Sequence, residues 1–163
     1  MKLKITQLSP GDWQAYRDIR LEALKSDPLA FGGTYEEECE KTEAQWRSFM
    51  ANMWFALADD NVVGMIGLLR DTGFTGGHRA HLISMWVKPA YRGQGIGKQL
   101  VQYLQELAKT CSILKFYLHV TSTQEAAITL YESVGFKKVG VLKRHTRDEN
   151  NYYDTYLMEW HAK

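Results

Sequence analysis

Residues 80–100 read AHLISMWVKPAYRGQGIGKQL, and few folds accommodate that order. An apolar run of strand type enters a turn with glycine at 93, 95 and 97. An apolar series of helical spacing, Ile96, Leu100, Leu104 and Leu107, begins inside the turn itself. Glycine lets backbone approach a ligand closely, and the first amides of a helix have no acceptor within it. Such a strand–turn–helix therefore favours an anion at the turn. Arg92 and Lys98 add positive charge at its two ends.

Two common phosphate loops fail on spacing. A dinucleotide fingerprint starting at Gly93 needs glycine at 98, where Lys98 stands, and one starting at Gly95 needs it at 100, where Leu100 stands. A P-loop ending at Gly97-Lys98 needs glycine at 92 and a hydroxyl residue at 99, where the chain has Arg92 and Gln99.

The remaining pattern is that of one α/β domain over residues 1–163, with a mixed, mostly antiparallel sheet. Residues 2–8 alternate as a strand, and Asp12 can cap a helix bearing Trp13, Tyr16, Ile19 and Leu24. SDPLAFGG (26–33) breaks it, and Thr42 with Gln45 has capping-box spacing before a helix over 43–51. Runs at 53–58 and 62–69 flank ADDN as a hairpin. Strands at 115–121, 136–142 and 152–160, with a helix over 124–134, complete the order.

Composition narrows the partners. Hydrophobic residues make up 45%, enough for a core, while a net charge of +1 argues against nucleic acid or an acidic membrane as partner. The start MKLKITQLSPGDW has no apolar signal core and no run reaches membrane-spanning length, so a cytoplasmic location is expected. Cys39 and Cys111 lack metal or redox spacing and are expected as buried, reduced thiols. His78-x-x-His81 is too sparse for a metal site, and none is expected.

VKPAYRGQGIGKQL resembles the acetyl-coenzyme A signature of the GNAT N-acetyltransferase superfamily, through Val87, Pro89, Arg92, Gly93, Gly95 and Gly97. ITLYESVGF resembles its second signature, through Leu130, Tyr131, Glu132, Gly135 and Phe136. RLEALKSDPLAF and YYDTYLM also look like the family, so the resemblance covers nearly the whole chain. It implies the acyl-CoA N-acyltransferase fold: six to seven strands, about four flanking helices, and a splay at the strand before the pyrophosphate loop.

The resemblance further implies acetyl-CoA as cofactor, a small-molecule primary amine as acceptor, and a protein amine as the rival acceptor. It admits a homodimer. A non-catalytic acyl-CoA-binding domain is the reading from another class. The amides of Arg92, Gly93, Gln94, Gly95, Ile96, Gly97 and Lys98 would cradle the pyrophosphate. The backbone of Met85, Trp86 and Val87 would pair with the pantetheine arm, whose far side would meet Gln124, Ala127 and Tyr131. Many relatives have asparagine where this chain has Gln124, an amide one methylene longer.

Amine attack on a thioester sets three demands. A free alkylammonium, with a pKa of about 10, must lose its proton to a base. A donor must meet the developing oxyanion, and the N–H near Val87 is the candidate. The departing sulfur needs an acid. Tyr131, at the family's Leu-Tyr position, is the expected acid. His81 is the expected base or water relay, since imidazole titrates near neutrality, and His119 is a further relay candidate. Phe31, Tyr35, Glu36 and Glu37 are the expected acceptor contacts; Glu38 and Trp46 belong to the same region.

Overall fold

The computed structural model describes Met1–Lys163. Its strands are β1 (Leu3–Thr6), β2 (Met53–Ala58), β3 (Asn61–Arg70), β4 (Arg79–Val87), β5 (Lys115–Thr121), β6 (Lys137–Arg147) and β7 (Tyr152–His161). The helices are α1 (Trp13–Ser26), α2 (Tyr35–Glu38), α3 (Glu43–Phe49), α4 (Ile96–Thr110) and α5 (Glu125–Ser133). The strands form one seven-stranded sheet in the order β1-β2-β3-β4-β5-β7-β6. The β4–β5 pair is parallel, and the β1–β2, β2–β3, β5–β7 and β6–β7 pairs are antiparallel. The expected fold class is therefore observed.

Local chemistry explains several boundaries. Asp59 and Asp60 both have positive φ, 47° and 68°, which is the tight turn whose twist suits a two-residue β2–β3 hairpin. Thr42 and Gln45 close a full capping box on α3, as the spacing predicts. Thr34 and Glu37 close a second one on α2. The expected Asp12 cap is not made: Asp12 closes a single 3-10 turn ahead of α1, and its carboxylate accepts from the Ser9 hydroxyl instead.

The chain forms two compact units, Met1–Gly67 with Ser84–Leu100, and Leu68–Ile83 with Val101–Lys163. In the first, α1 and α3 pack on β2 and β3. Tyr16 meets Trp46 edge-on at 5.2 Å and Phe55 at 5.7 Å, with Ile19, Met50, Met53 and Met65 buried around them. Gly64 matters here: a Cβ on it would stand 3.2 Å from Leu100 and 3.3 Å from the Trp86 carbonyl. Its bare backbone lets β3 lie close to the end of β4 and the start of α4, which fixes where the glycine turn emerges.

In the second unit, Phe116 and Leu118 of β5 and Leu104 and Ala108 of α4 are almost fully buried. Burying a leucine of this kind contributes about 1.5–3 kcal/mol, so the alternating face of β5 and the apolar stripe of α4 both add to that unit's stability. The two cysteines are unpaired and half-buried, where full burial was expected. No helix is long and apolar enough to cross a membrane.

Candidate active site

The glycine turn begins where β4 ends. Val87 is followed by a 3-10 turn, Pro89–Tyr91, which fixes Arg92: the Arg92 N–H donates to the carbonyl of Pro89, the first residue of the turn, at 3.2 Å. The next backbone bond is Gln99 N–H to the Gly95 carbonyl at 3.0 Å. Between them the amides of Gly93 to Lys98 make no backbone bond, which is what a helix start leaves free. Gly93 and Gly95 have φ of +76° and +79°, a conformation that side chains rarely adopt. A Cβ built on either meets nothing within 4 Å, so both open onto free space. The sequence of unsatisfied amides, left-handed glycines and open space fits a diphosphate group.

The Arg92 side chain does not simply add charge to this turn. Its Nε donates to the Val87 carbonyl at 2.9 Å and its Nη2 donates to Asp27 at 2.7 Å. The same Asp27 oxygen accepts from the Trp86 indole at 2.7 Å and from Ser26 at 2.8 Å. Burial alone would raise the Asp27 carboxyl, but the bonds from Trp86, Arg92 and Ser26 outweigh it and hold it below the usual carboxylate range. Lys98 is exposed.

Within β4, Ser84 has φ +54°, a break in the extended backbone of the kind a bulge produces. Before it Ala80 and Leu82 are buried while His81 and Ile83 are half-exposed; after it Trp86 and Val87 are buried in succession and Met85 is half-exposed. The ladder with β5 holds three pairs and ends at His81 and Tyr117, although β5 continues to Thr121. The short ladder fits the splay that the resemblance implies for this strand.

Ser84 is also held from α1. Arg20 donates to its hydroxyl at 3.1 Å and grips Glu38 through Nε at 3.0 Å and Nη2 at 2.6 Å. Lys41 adds a contact to Glu38 at 3.1 Å. A Cβ on Gly33 would collide with that carboxylate, so the glycine makes room for it. Phe31 lies under the Arg20 guanidinium at 4.5 Å and Tyr35 under the Lys25 ammonium at 4.0 Å. Glu37 is engaged in the α2 capping box, and Glu36 is exposed on the same turn.

In the second unit His81 stacks on Tyr117 at 4.7 Å, and its Nε2 lies 3.3 Å from Nδ1 of His119. The Tyr117 hydroxyl donates to Asp71 at 3.0 Å, and Asp71 also pairs with Arg79. Burial and then the neighbouring His119 push the His81 pKa down, with Asp71 opposing them. Burial, then His145, lowers His119 as well. His81 is thereby neutral near pH 7, the state a base requires. Tyr131 of α5 is buried, with Phe136 at 5.6 Å, and desolvation drives its phenol far above the ordinary value, so it holds its proton. Gln124, at the α5 N-terminus, and Ala127 are half-buried.

Sequence reasoning missed Asp27, Arg20 and Tyr117. Asp27 before Pro28 reads only as a helix stop, and its partner Arg92 is 65 residues away, beyond any local pattern. The Thr34–Glu37 box was present as Thr-x-x-Glu spacing and is a signal that could have been found.

A family model described as Acetyltransferase (GNAT) family matches residues 13–136. The chain belongs to the GNAT family. Among similar proteins, N-acetyltransferase 8B of Homo sapiens is 31% identical over 134 residues, 82% of this chain and 53% of that protein. N-alpha-acetyltransferase RimI of Mycobacterium tuberculosis is 36% identical over 92 residues, 56% of each protein. The chain spans about half the length of these two, and the match to a Mycobacterium leprae protein covers 27% of that protein. A GNAT acetyltransferase structure from Streptococcus pneumoniae superposes with a TM-score of 0.87 at 21% identity, covering 98% of this chain and 99% of that one. The Salmonella typhimurium protein yncA, solved with its cofactor acetyl-CoA, superposes at 0.81 with 18% identity, covering 100% and 95%. At these identities the superpositions establish the fold.

Proposed function

We propose that the chain is, as a single domain, an acetyl-CoA-dependent N-acetyltransferase whose acceptor is a primary amine on a small molecule. The row of free amides from Gly93 to Lys98, with two left-handed glycines facing open space, carries the reading. Family membership and the yncA complex support the choice of acetyl-CoA as the anion it holds. Acetyl-CoA supplies the thioester carbonyl that the amine attacks.

The chain's own residues supply the rest. Amides 93–98 would hold the diphosphate, and the backbone of Met85, Trp86 and Val87 would hold the pantetheine arm, with Gln124 and Ala127 along it. Neutral His81 takes the proton that the amine loses, and the Val87 N–H supports charge on the carbonyl oxygen. Tyr131, which burial keeps protonated until the sulfur departs, gives that sulfur its proton and is reprotonated from solvent as His81 releases the proton taken from the amine, so that the step balances. Phe31, Tyr35, Glu36 and Glu37 receive the amine.

A protein α-amino group is the second reading, favoured by the match to the N-alpha-acetyltransferase RimI. Thiol release from acetyl-CoA, measured with small amines and with peptides of free N-terminus, separates the two. Turnover confined to peptides would replace the small-molecule reading. Cofactor binding without any acceptor-dependent turnover would make the chain a non-catalytic acyl-CoA-binding domain.

A further inference from the structure

We propose that Asp27 is a positioning residue for the nucleotide-holding turn, using Arg92 as an internal strut rather than leaving it as a phosphate ligand. The inference rests on the cofactor reading above and assigns a division of labour within it: main-chain amides grip the diphosphate, and the arginine of the signature sets their direction.

Three observations carry it. One Asp27 oxygen, Oδ2, collects the Trp86 indole, the Arg92 guanidinium and the Ser26 hydroxyl, all at 2.7–2.8 Å. Arg92 then reaches back with Nε to the Val87 carbonyl at 2.9 Å, so its rigid fork spans from the last residue of β4 to the corner after α1. Its own N–H is tied to Pro89 at 3.2 Å, and the free amides start at the next residue. Arg92 is thus fixed through main chain and side chain at the point where the turn begins. The Asp27 carboxylate is itself held ionised by its donors, so the ion pair persists at neutral pH.

The rival role for Arg92 predicts the opposite sign. If the guanidinium served mainly as a phosphate charge, Asp27 would compete with the phosphates for it. Asp27→Asn would then tighten coenzyme A binding or leave it alone. As a strut, Asp27→Asn weakens coenzyme A binding by roughly tenfold, the scale of a charge-assisted hydrogen bond. Turnover at saturating cofactor stays within about twofold, because the reacting groups are untouched.

The test is a cycle of Asp27→Asn, Arg92→Gln and the double variant, with coenzyme A affinity measured by calorimetry. The strut requires that the double variant bind no worse than the weaker single one. Additive losses, or tighter binding by Asp27→Asn, overturn it. Arg92→Lys supplies a check that does not depend on Asp27 variants folding. Lysine restores charge but not the fork, so recovery of affinity by Lys overturns the strut and continued weakness supports it. Amide order parameters for residues 93–98 in the cofactor-free protein form a separate arm. They fall in Arg92→Gln if the strut holds and stay unchanged if it does not. Should the wild-type protein bind no coenzyme A, the cofactor reading fails and this arm alone decides the strut.

Discussion

Nε2 of His81 lies 3.3 Å from Nδ1 of His119, a distance at which one imidazole donates to the other. His81 is half-buried at the end of the β4–β5 ladder, while His119, two residues beyond Tyr117, is exposed. A proton received by His81 therefore has a titratable neighbour in contact with water. Two imidazoles this close titrate as a pair, and both are depressed by burial.

The first prediction is a pH profile. Burial, then His119, lowers His81 below the ordinary imidazole value of 6.5, so the neutral base is gained as pH rises through a lower value. The rate constant kcat/KM should fall on acidification with an apparent pKa below about 6.5. In His81→Gln that acid limb should vanish, with a rate loss of about 100-fold or more. An unaltered limb in the variant would assign the base elsewhere.

Gly95→Asp should abolish tight coenzyme A binding. At φ +79° a non-glycine residue is strained by roughly 1–2 kcal/mol, and the new carboxylate enters the open space that the free amides face. Calorimetry should show a weakening of at least about tenfold, since 1.4 kcal/mol corresponds to that factor. Unchanged affinity would remove the turn from the cofactor site.

Tyr131→Phe separates chemistry from packing. The ring is buried and the hydroxyl is the one group lost, so the fold should survive with a small change in melting temperature. Turnover should drop by about 100-fold, the lower range for a general acid, with cofactor affinity within about twofold. Equal losses in both would make Tyr131 a binding residue instead.

What could be read from the residues alone was local. The strand–turn–helix from Ala80 onward, the hairpin at Asp59-Asp60 and the Thr42–Gln45 cap all follow from spacings under about five residues, or from periodicity, and the structure has them. The parallel β4–β5 pairing and its end at His81 and Tyr117 depend on side chains that meet across the sheet, which no local pattern encodes. The Asp27–Arg92 and Arg20–Glu38 pairs are of the same kind, linking charges far apart in the chain. The charge run Glu36, Glu37 and Glu38 shows the limit well: its three members look alike as sequence, yet one is exposed, one caps α2 and one is a buried ion partner.

Glu38 yields the last prediction. Its carboxylate is 7% exposed and its attraction to Arg20 is set against a real cost of burial, which by itself would raise the pKa. The bonds and charges of Arg20 and Lys41 outweigh that cost, and the folded value lies below the ordinary 4.5. A depressed folded value means that the native state favours the ionised form. The pair's contribution is then complete above the unfolded carboxylate pKa and lost as pH falls through the lower folded one. Glu38→Gln should destabilise the protein at neutral pH by about 3–5 kcal/mol, because it leaves the Arg20 cation buried without its partner. In a chain of this length that is a fall in melting temperature on the order of 10 °C. The gap between wild type and variant should close as pH is lowered below about 4. A constant gap across that range would mean that Glu38 acts by shape and not by charge. Replacing both residues, as Arg20→Met with Glu38→Leu, should recover much of the lost stability, since an apolar pair avoids the burial cost altogether. That double variant also loses the bond to Ser84 and the cation over Phe31, so a stable protein with impaired turnover would assign Arg20 a role at the site beyond its ion pair.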